Sequence, residues 1–240
     1  MMKKLPLEIV IPIFNEGKKI IDLVKLLKKN VKINFRILLC YDNSNDDIFD
    51  YIHLLDNIDV NVRLIKNPSN GPCLAIKEGF RSGYSDCVIV YPADDFTNIN
   101  ILNDMYDKFL KGSQIVVASR FIKGGSMKNC PLLKSILVRT ASLSLYLLSS
   151  IPVRDASNGF RLFSRNLLNE IKIESQVGFT YSLELLVKCN RLKYKISEIP
   201  AKWEERTEGK SRFKIIKWLP QYFKWYIYGL ATTWLKKSKI

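Results

Sequence analysis

Two adjacent carboxylates, Asp94 and Asp95, follow a run of β-branched and aromatic residues, 87–91, that is typical of a buried strand. In a parallel α/β sheet, ligands bind at the carboxyl ends of the strands. Mg²⁺ and Mn²⁺ prefer oxygen ligands, and Mg²⁺ commonly binds one or two carboxylates and fills its shell with substrate phosphates and water. The pair therefore predicts a metal and phosphate site. A turn with a helix cap is the alternative that these residues alone leave open.

Two basic side chains, Arg120 and Lys123, follow a later predicted strand at 114–119. A metal held by Asp94 and Asp95 would neutralise the charge that develops on a departing diphosphate. Arg120 and Lys123 suit the same task, since an arginine can contact two phosphate oxygens at once. Together the acids and the bases indicate group transfer from a diphosphate.

The elements that must position these residues alternate along the chain. Apolar runs typical of strands occur at residues 7–14, 35–40, 60–65, 87–91, 114–119 and 195–199, with helical spacing between the first five. This alternation predicts an α/β fold with a mostly parallel sheet covered by helices. Acidic and amide residues follow the first, second and fourth strands, at what would be one edge of the sheet. Asn15 is the expected N-cap of the first helix.

Composition narrows the class of partner. The 240 residues are 47% hydrophobic and carry a formal net charge of +15, which excludes disorder for most of the chain and favours polyanions: nucleic acid, an anionic membrane face or phosphorylated substrates. Five scattered cysteines without a C-x-x-C pair fit neither a disulfide framework nor a zinc site, and they favour a reducing cytosol. The only histidine, His53, lies on a helical pattern, and we expect it to be structural. Pro6, Glu8 and Pro12 interrupt the first apolar run, which predicts a strand rather than a signal peptide.

Two later segments suit a membrane surface. Residues 140–153 carry no charge, but a helix of this length measures about 21 Å, too short for roughly 30 Å of hydrocarbon. A buried core helix and a helix lying in the membrane interface are both open. The tail, 209–240, has eight Lys and Arg residues, no acid and many aromatic residues. This mixture predicts a membrane-surface helix, with a helix that docks on a partner protein as the alternative.

Six motifs occur in order along the chain. They are Ile11-Pro12-Ile13-Phe14-Asn15-Glu16, Asp42-Asn43-Ser44-x-Asp46, Pro92-Ala93-Asp94-Asp95, Ser119-Arg120-Phe121-x-Lys123-Gly124-Gly125, Asp155-x-x-x-Gly159-Phe160-Arg161 and Arg206-x-x-Gly209-x-Ser211. The set resembles the family 2 glycosyltransferases of the GT-A fold, most closely the branch of dolichyl-phosphate or polyprenyl-phosphate mannosyl- and glucosyltransferases. The resemblance spans residues 7 to about 213. It implies a Rossmann-like GT-A catalytic domain at 1–212 followed by an amphipathic, membrane-surface helical tail at 213–240.

The resemblance also implies roles for single residues. The donor would be bound by Pro12, Phe14, Glu16, Asp42, Asp94, Arg206 and Ser211, the last two in a loop that closes over the diphosphate. The acceptor phosphate would contact Arg120, Lys134, Arg139 and Arg161. The catalytic set would be Asp94, Asp95 and Arg120, with Mg²⁺ or Mn²⁺ at Asp94 and Asp95. Pro92, Tyr41 and Phe96 depart from the family pattern, which makes Asp94 the expected principal protein ligand.

These inferences give one main hypothesis. The chain is predicted to be an inverting hexosyltransferase that moves mannose or glucose from a GDP- or UDP-sugar to a polyprenyl phosphate, peripherally on the cytoplasmic membrane face. A polyprenyl phosphate is already an anionic nucleophile, so its attack needs no strong general base. A membrane protein that anchors the tail is a further candidate partner.

Alternatives remain open. A glycosyltransferase acting on a sugar hydroxyl, in lipopolysaccharide or surface polysaccharide assembly, would need a base, for which Asp95 and Glu184 are candidates. A non-catalytic protein that binds a nucleotide sugar or a polyanion is the alternative of a different class. Binding to nucleic acid is disfavoured, because carboxylates at the strand ends repel phosphate unless a cation intervenes, and we expect no nucleic-acid partner.

Overall fold

The structure, a computed structural model, describes residues 5–204 and 215–234. The strands in these residues are β1 (Leu7–Pro12), β2 (Phe35–Tyr41), β3 (Asn61–Lys66), β4 (Cys87–Val90), β5 (Ile115–Ser119), β6 (Ser126–Lys128), β7 (Arg161–Ser164), β8 (Ile196–Pro200) and β9 (Lys202–Glu204). The α-helices are α1 (Gly17–Asn30), α2 (Ile48–Tyr51), α3 (Pro72–Ser82), α4 (Ile101–Leu110), α5 (Leu132–Leu148), α6 (Arg165–Glu170), α7 (Thr180–Arg191) and α8 (Ile215–Trp234).

Seven strands form one sheet in the order β3-β2-β1-β4-β7-β5-β8. All its neighbouring pairs are parallel except those of β7, which runs antiparallel to both β4 and β5. β6 and β9 form a separate parallel ribbon. The predicted mostly parallel α/β sheet is therefore confirmed. The sequence reasoning missed β7, the inserted antiparallel strand, and the short ribbon.

The core lies in two layers, one on each face of the sheet, because successive side chains of a strand point to opposite faces. Ile9 and Ile11 of β1 face a layer closed by α1 and α4, whereas Val10 faces a layer closed by α3 and α7. All three side chains are fully buried. Both faces are covered, as a mainly parallel sheet requires.

The start of α1 differs from the prediction. Its N-cap residue is Glu16, whose side chain makes no capping hydrogen bond, and Asn15 has the left-handed φ of 52°. The N–H of Gly17 instead donates to Asp47 Oδ1 at 2.9 Å, from the loop after β2. The expectation that Asn15 caps this helix is therefore wrong, because a carboxylate from a neighbouring loop fills that role.

The two segments considered for a membrane surface overlap α5 and α8, and each of these helices is partly buried and partly exposed. Leu145 of α5 and Trp225 of α8 are buried. α8 packs on α7, and the Trp225 Nε1 donates to Ser175 Oγ at 2.9 Å. The large apolar side chains that remain exposed on these helices are Leu132, Ile136, Leu137, Leu143, Leu147 and Leu148 on α5, and Leu219, Phe223 and Ile227 on α8.

None of the helices described here combines the length and the apolar character needed to cross a membrane. The predicted boundary between residues 212 and 213 falls outside the described residues. The division into a catalytic domain and a tail therefore stays a prediction.

Candidate active site

The order of strands brings the predicted site residues to one edge of the sheet. Asp94 follows β4, Asp42 follows β2 and Arg120 follows β5. These three strands point in the same direction, so their carboxyl ends lie at one edge of the sheet. One strand separates β4 from β2, and one separates β4 from β5, so the two flanking loops leave the sheet about 10 Å from the Asp94 loop at the usual strand spacing. Because β7 runs the other way, the residues before it, 155–160, lie at this same edge. We call it the carboxyl edge.

The loop after β4 is closed by its own hydrogen bonds, and these leave the Asp94 side chain exposed. The buried Tyr91 hydroxyl donates to the carbonyl of Asp95 at 2.8 Å. The Asp95 carboxylate accepts from the N–H groups of Thr97 and Asn98, both at 2.9 Å, and from Asn98 Nδ2 at 2.6 Å. The Asp94 carboxylate therefore faces solvent, and the Asp95 carboxylate faces its own loop.

This geometry does not fit the roles predicted for Asp95, as a second metal ligand and a catalytic residue. Both of its oxygens face amides of its own loop rather than the solvent side where Asp94 lies. Burial raises the pKa of Asp95, while the bonds from Asn98 and Thr97 oppose that shift. Asp95 therefore organises the loop.

Asp94 has the chemistry of a ligand for Mg²⁺ or Mn²⁺. In residues 5–204 and 215–234 no group of three or more His, Cys, Asp or Glu side chains is placed to hold a metal ion. A single exposed carboxylate fits a Mg²⁺ ion that takes its other ligands from substrate phosphates and water. The residues present fit a metal that binds together with a nucleotide.

The predicted nucleotide-binding residues surround the ends of β1 and β2. The Phe14 ring is 46% exposed, and Pro12 and Glu16 beside it are half-buried. Asp42 is held from behind, since Asn67 Nδ2 donates to its Oδ1 at 2.7 Å and the Gly71 N–H to its Oδ2 at 2.8 Å. An exposed ring beside a fixed carboxylate can stack on a base and accept from ribose hydroxyls.

Two further carboxylates link the loops after β1 and β2. Asp46 Oδ2 accepts from the Asn15 N–H at 3.0 Å, and Asp47 Oδ1 accepts from the Gly17 N–H. These bonds fix the chain on either side of Glu16. Sequence reasoning quoted Asp46 within a motif but missed this function, which joins residues about thirty positions apart.

Arg120 is positioned by a buried carboxylate, Asp155. The guanidinium donates through Nε to Asp155 Oδ2 at 2.7 Å and through Nη2 to Oδ1 at 2.9 Å, and also to Ser157 Oγ at 2.7 Å. Burial alone would raise the pKa of Asp155, but the charge and hydrogen bonds of Arg120, with Arg161 behind, hold that pKa below its usual value. Asp155 is fully buried whereas the Arg120 side chain keeps 10% exposure, and Nη1 of Arg120 donates to none of the described residues.

A second arginine predicted for the acceptor phosphate lies close by. The Phe121 ring has the Arg120 guanidinium carbon 5.1 Å and the Arg139 guanidinium carbon 4.7 Å from its centroid. One ring therefore contacts both arginines, one after β5 and the other on α5. Lys134, in the first turn of α5, has its Nζ 5.0 Å from the centroid of the Trp203 ring.

Arg161 requires a correction, because its guanidinium is fully buried. It donates to the backbone carbonyls of Ala156, Asn158 and Ser182, which leaves it turned away from the exposed side of the edge. Burial lowers its pKa to about 10, and the nearby Asp155 charge opposes that shift. Arg161 supports the loop that carries Asp155 rather than contacting an acceptor phosphate.

Glu184, a candidate base for a hydroxyl acceptor, is also used internally. It is fully buried on α7 and accepts from Lys188 Nζ at 2.7 Å and from the N–H groups of Glu174 and Ser175. His53 lies exposed in a 3₁₀ turn, Ile52–Leu54. The predicted donor residues Arg206 and Ser211 lie outside the described residues, so their roles stay predictions.

Comparison with known proteins identifies a glycosyltransferase family and three relatives whose names refer to dolichol or polyprenol phosphates. The model of the glycosyl transferase family 2 matches residues 8–172. Dolichol-phosphate mannosyltransferase from Pyrococcus furiosus is 23% identical over 228 residues, which cover 90% of this chain and 63% of that protein. Polyprenol monophosphomannose synthase from Mycolicibacterium smegmatis is 25% identical over 58% of this chain and 57% of its own length. Dolichyl-phosphate beta-glucosyltransferase from Trichomonas vaginalis is 27% identical over 95% of this chain and 75% of its own length.

Among solved structures, glucosyl-3-phosphoglycerate synthase from Mycobacterium tuberculosis, in complex with Mn²⁺, UDP and glucosyl-3-phosphoglycerate, superposes with a TM-score of 0.68 at 15% identity. The superposition covers 98% of this chain and 82% of that one, and it confirms the GT-A fold. The chain spans less than two thirds of the length of the first two relatives. The family model, by contrast, covers well over half of the chain. The protein therefore belongs to glycosyl transferase family 2.

Proposed function

We propose that the protein transfers a hexose, mannose or glucose, from a GDP- or UDP-sugar to a polyprenyl phosphate at the surface of a membrane, with inversion at the anomeric carbon. The related mannosyl- and glucosyltransferases support this acceptor class, and the solved neighbour with bound UDP and Mn²⁺ supports a metal-assisted nucleotide donor. None of the five cysteines, all of which the structure describes, is in a disulfide, which suits a reducing compartment and hence the cytoplasmic face.

The donor side is built from the loops after β1, β2 and β4. Phe14 and Asp42 suit the base and the ribose, as described above. A divalent metal bound at Asp94 would neutralise negative charge on the leaving diphosphate. The protein's own contribution is to hold Asp94 outward on a loop that Asp95 and Tyr91 keep in one conformation.

The proposal rests chiefly on the Arg120–Asp155 pair, which lies at the same edge as Asp94. The pair holds the Arg120 guanidinium in place with one nitrogen, Nη1, that donates to none of the described residues, and Arg120 shares the Phe121 ring with Arg139. Two arginines at one ring suit a phosphate group, which has several oxygens to accept from them. A phosphate acceptor attacks without a base, whereas Asp95 and Glu184, the candidate bases for a sugar hydroxyl, are both used internally.

The acceptor's lipid chain needs an apolar surface beside these arginines. Arg139 lies on α5, whose exposed leucine and isoleucine side chains were described above. α5 contacts α8, where Ser144 Oγ and the Tyr226 hydroxyl lie 2.7 Å apart, so the exposed apolar residues of both helices belong to neighbouring elements. Exposed leucine and phenylalanine beside cationic side chains such as Arg139 and Lys224 suit a helix layer that lies in the membrane interface.

The experiment is a transfer assay with purified protein, Mg²⁺ or Mn²⁺, a panel of GDP- and UDP-sugars, and a polyprenyl phosphate in detergent. We expect a glycolipid product with at least one donor, and we expect Asp94→Asn to reduce its formation at least 100-fold while the circular dichroism spectrum is unchanged. Full activity in Asp94→Asn would show that the metal site is misplaced. Transfer to sugar hydroxyls but not to lipid phosphates would favour the alternative acceptor class.

Membrane docking is tested separately with vesicles containing anionic lipid. Leu143→Ser together with Phe223→Ser removes two exposed apolar side chains, which at about 1.5–3 kcal/mol for full burial of each should weaken vesicle binding at least tenfold. Leu110→Ser, which changes an exposed leucine at the end of α4, is the matched control and should bind like the wild type. Equal binding by all three proteins would contradict docking through α5 and α8.

A further inference from the structure

We propose that Asn98 is a positioning residue that joins the Asp94 loop to the acceptor side of the site through strand β9. This inference rests on the proposed function, since it assigns Asp94 to the donor and α5 to the acceptor. Asn98 lies outside the six motifs of the sequence. It is four residues beyond Asp94 and only 4% exposed.

The Asn98 amide uses both its donor and its acceptor atoms. Nδ2 donates to Asp95 Oδ2 and to the carbonyl oxygen of Lys202, each at 2.6 Å, while Oδ1 accepts from the Lys202 N–H at 2.8 Å. Only an amide can donate twice and accept at the same point, because a carboxylate has no donor and alanine has neither group. Asn98 therefore fixes the inward carboxylate of the metal loop and pairs with the backbone of β9 as a neighbouring strand would.

β9 contacts the acceptor side through its next two residues. The Trp203 ring lies beneath Lys134 Nζ, and Glu204 Oε1 accepts from Asn129 Nδ2 at 2.8 Å. β9 also pairs in parallel with β6, which precedes α5. Three consecutive residues thus hold the donor loop on one side and the segment that leads into the acceptor helix on the other.

The consequence is a fixed spacing between Asp94 and the cations of α5. Groups that orient a metal ligand without touching the metal typically change metal affinity or activity 10- to 100-fold when they are removed. Asn98→Ala leaves the Asp95 carboxylate with backbone donors only and leaves the Lys202 backbone without its side-chain partner. We expect that the loop no longer holds the Asp94 carboxylate toward solvent, while the sheet remains folded.

The experiment compares Asn98→Ala and Asn98→Asp with Asn100→Ala, a matched control at an exposed asparagine whose side chain makes no capping bond. The first measurement is Mn²⁺ binding by calorimetry in the presence of UDP or GDP. We expect affinity to fall 10- to 100-fold in both Asn98 variants and to stay within twofold of the wild type in the control. In the transfer assay kcat should fall by a similar factor, while the KM for the nucleotide sugar rises.

The second measurement needs neither metal nor activity. Hydrogen exchange of the metal-free protein should show a faster Lys202 amide in Asn98→Ala, because that N–H loses its acceptor, and an unchanged rate in Asn100→Ala. A rescue variant, Asn98→Asp with Asp95→Asn, exchanges donor and acceptor across the 95–98 contact. It should recover part of the Mn²⁺ affinity that Asn98→Asp loses, which a loss of general stability would not predict.

The outcomes separate the two proposals. If the wild type fails to make any glycolipid but Mn²⁺ binding with nucleotide falls in the Asn98 variants, the proposed acceptor is wrong and the positioning role stands. If the wild type binds no Mn²⁺ with either nucleotide, the metal role fails and Asn98 positions no metal ligand. Mn²⁺ affinity and Lys202 exchange in Asn98→Ala that match the Asn100→Ala control overturn the inference. Should Asn98→Ala not fold, Asn98→Asp, which keeps the size of the side chain, carries the comparison.

Discussion

The two edges of the same sheet each hold a buried carboxylate paired with arginine, yet they are built for different ends. At the carboxyl edge, Asp155 binds one arginine, Arg120. At the amino edge, Glu8 near the start of β1 binds two arginines: Arg36, on the adjacent residue of β2, and Arg165, at the end of β7, the latter at 2.7 Å. Glu8 and Arg36 are almost completely buried, and the Tyr84 N–H also donates to Glu8.

The two edges differ in how many hydrogen-bond donors of the arginine side chains are already used within the protein. Arg165 also donates to the carbonyls of Phe80 and Ser85, and Arg36 lies against the Tyr84 ring with its guanidinium carbon 4.1 Å from the centroid. Both charges are used within the protein, so this network fastens β1, β2 and the start of β4 together. Arg120 and Arg165 are exposed to a similar degree, 10% and 11%, but Nη1 of Arg120 donates to none of the described residues, whereas all three side-chain nitrogens of Arg165 donate within the protein. We therefore expect a buried ion pair to serve a ligand where its arginine keeps an unused donor, and to be structural where every donor is used within the protein.

The largest expected effect is at the amino edge. Glu8→Gln removes the charge but keeps the shape, which leaves Arg36 and Arg165 buried without a counter-charge. Breaking a buried ion pair in this way costs about 3–5 kcal/mol, and urea denaturation should show that decrease in the free energy of unfolding. Transfer activity per folded molecule should stay within twofold of the wild type.

The control for this prediction is Glu78→Gln, which breaks a pair with the largely exposed Arg81. Exposed pairs contribute about 0–1 kcal/mol, so the variant should unfold at nearly the wild-type urea concentration. If Glu8→Gln lost transfer activity while remaining folded, the division between a structural and a functional edge would not hold.

An intermediate effect is expected when an arginine is replaced by lysine, in one variant at the carboxyl edge and in another at the amino edge. Lysine cannot reproduce the two parallel bonds that Arg120 makes to Asp155, nor reach Ser157 at the same time. Arg120→Lys should lower kcat/KM for transfer about 100-fold, which corresponds to about 2.7 kcal/mol of transition-state stabilisation. Arg165→Lys should lower stability and leave kcat/KM unchanged, and kinetics beside urea denaturation of both variants measure the two quantities.

Equal loss of activity in the two lysine variants would contradict the comparison. So would an Arg120→Lys variant with wild-type kinetics, since it would show that the fork between Arg120 and Asp155 does not set the reaction geometry. The two substitutions alter the same type of side chain, which removes chemical differences between the variants from the comparison.

The sequence predicted the edge of the site better than its interior contacts. Hydrophobic periodicity located β1, β2, β4 and β5, and the acids and bases after those strands were placed correctly because parallel strands end at one edge. It ranked Asp94 over Asp95 as the principal ligand from the family pattern alone, and it could not foresee the hydrogen bonds that hold Asp95 within its own loop. β7 was missed because four buried residues that include an arginine carry no strand pattern of their own.

Residue type also could not separate the arginines of the predicted acceptor site. Arg139 and Arg161 have the same side chain, but one lies on an exposed helix face and the other is enclosed by backbone carbonyls, and burial is a property of tertiary packing. Asn98 shows a similar limit. Its place three residues after Asp95 is a local signal typical of a side chain that bonds its own loop, but its bond to Lys202 spans 104 positions and has no local signature.

The smallest expected effect concerns acid stability and tests whether Arg120 stabilises the Asp155 charge. Because the pKa of Asp155 is lowered in the folded protein, the unfolded chain takes up this proton first, near its ordinary value of about 3.9. The stabilisation is therefore complete above that range and is lost as the pH falls through the lower pKa of the folded state, by at most about 1.4 kcal/mol per pH unit for one proton. Arg120→Lys weakens the pairing and raises the pKa of Asp155 in the folded protein toward its ordinary value, so less stabilisation remains to be lost.

Urea midpoints measured from pH 3 to 6 should then fall less steeply on acidification for Arg120→Lys than for the wild type, whereas Glu78→Gln should follow the wild-type curve. Parallel curves for all three proteins would mean that the carboxylate is held by its other donors, the N–H groups of residues 120, 157 and 158 and the Ser157 hydroxyl, and that the Arg120 side chain does not stabilise its charge.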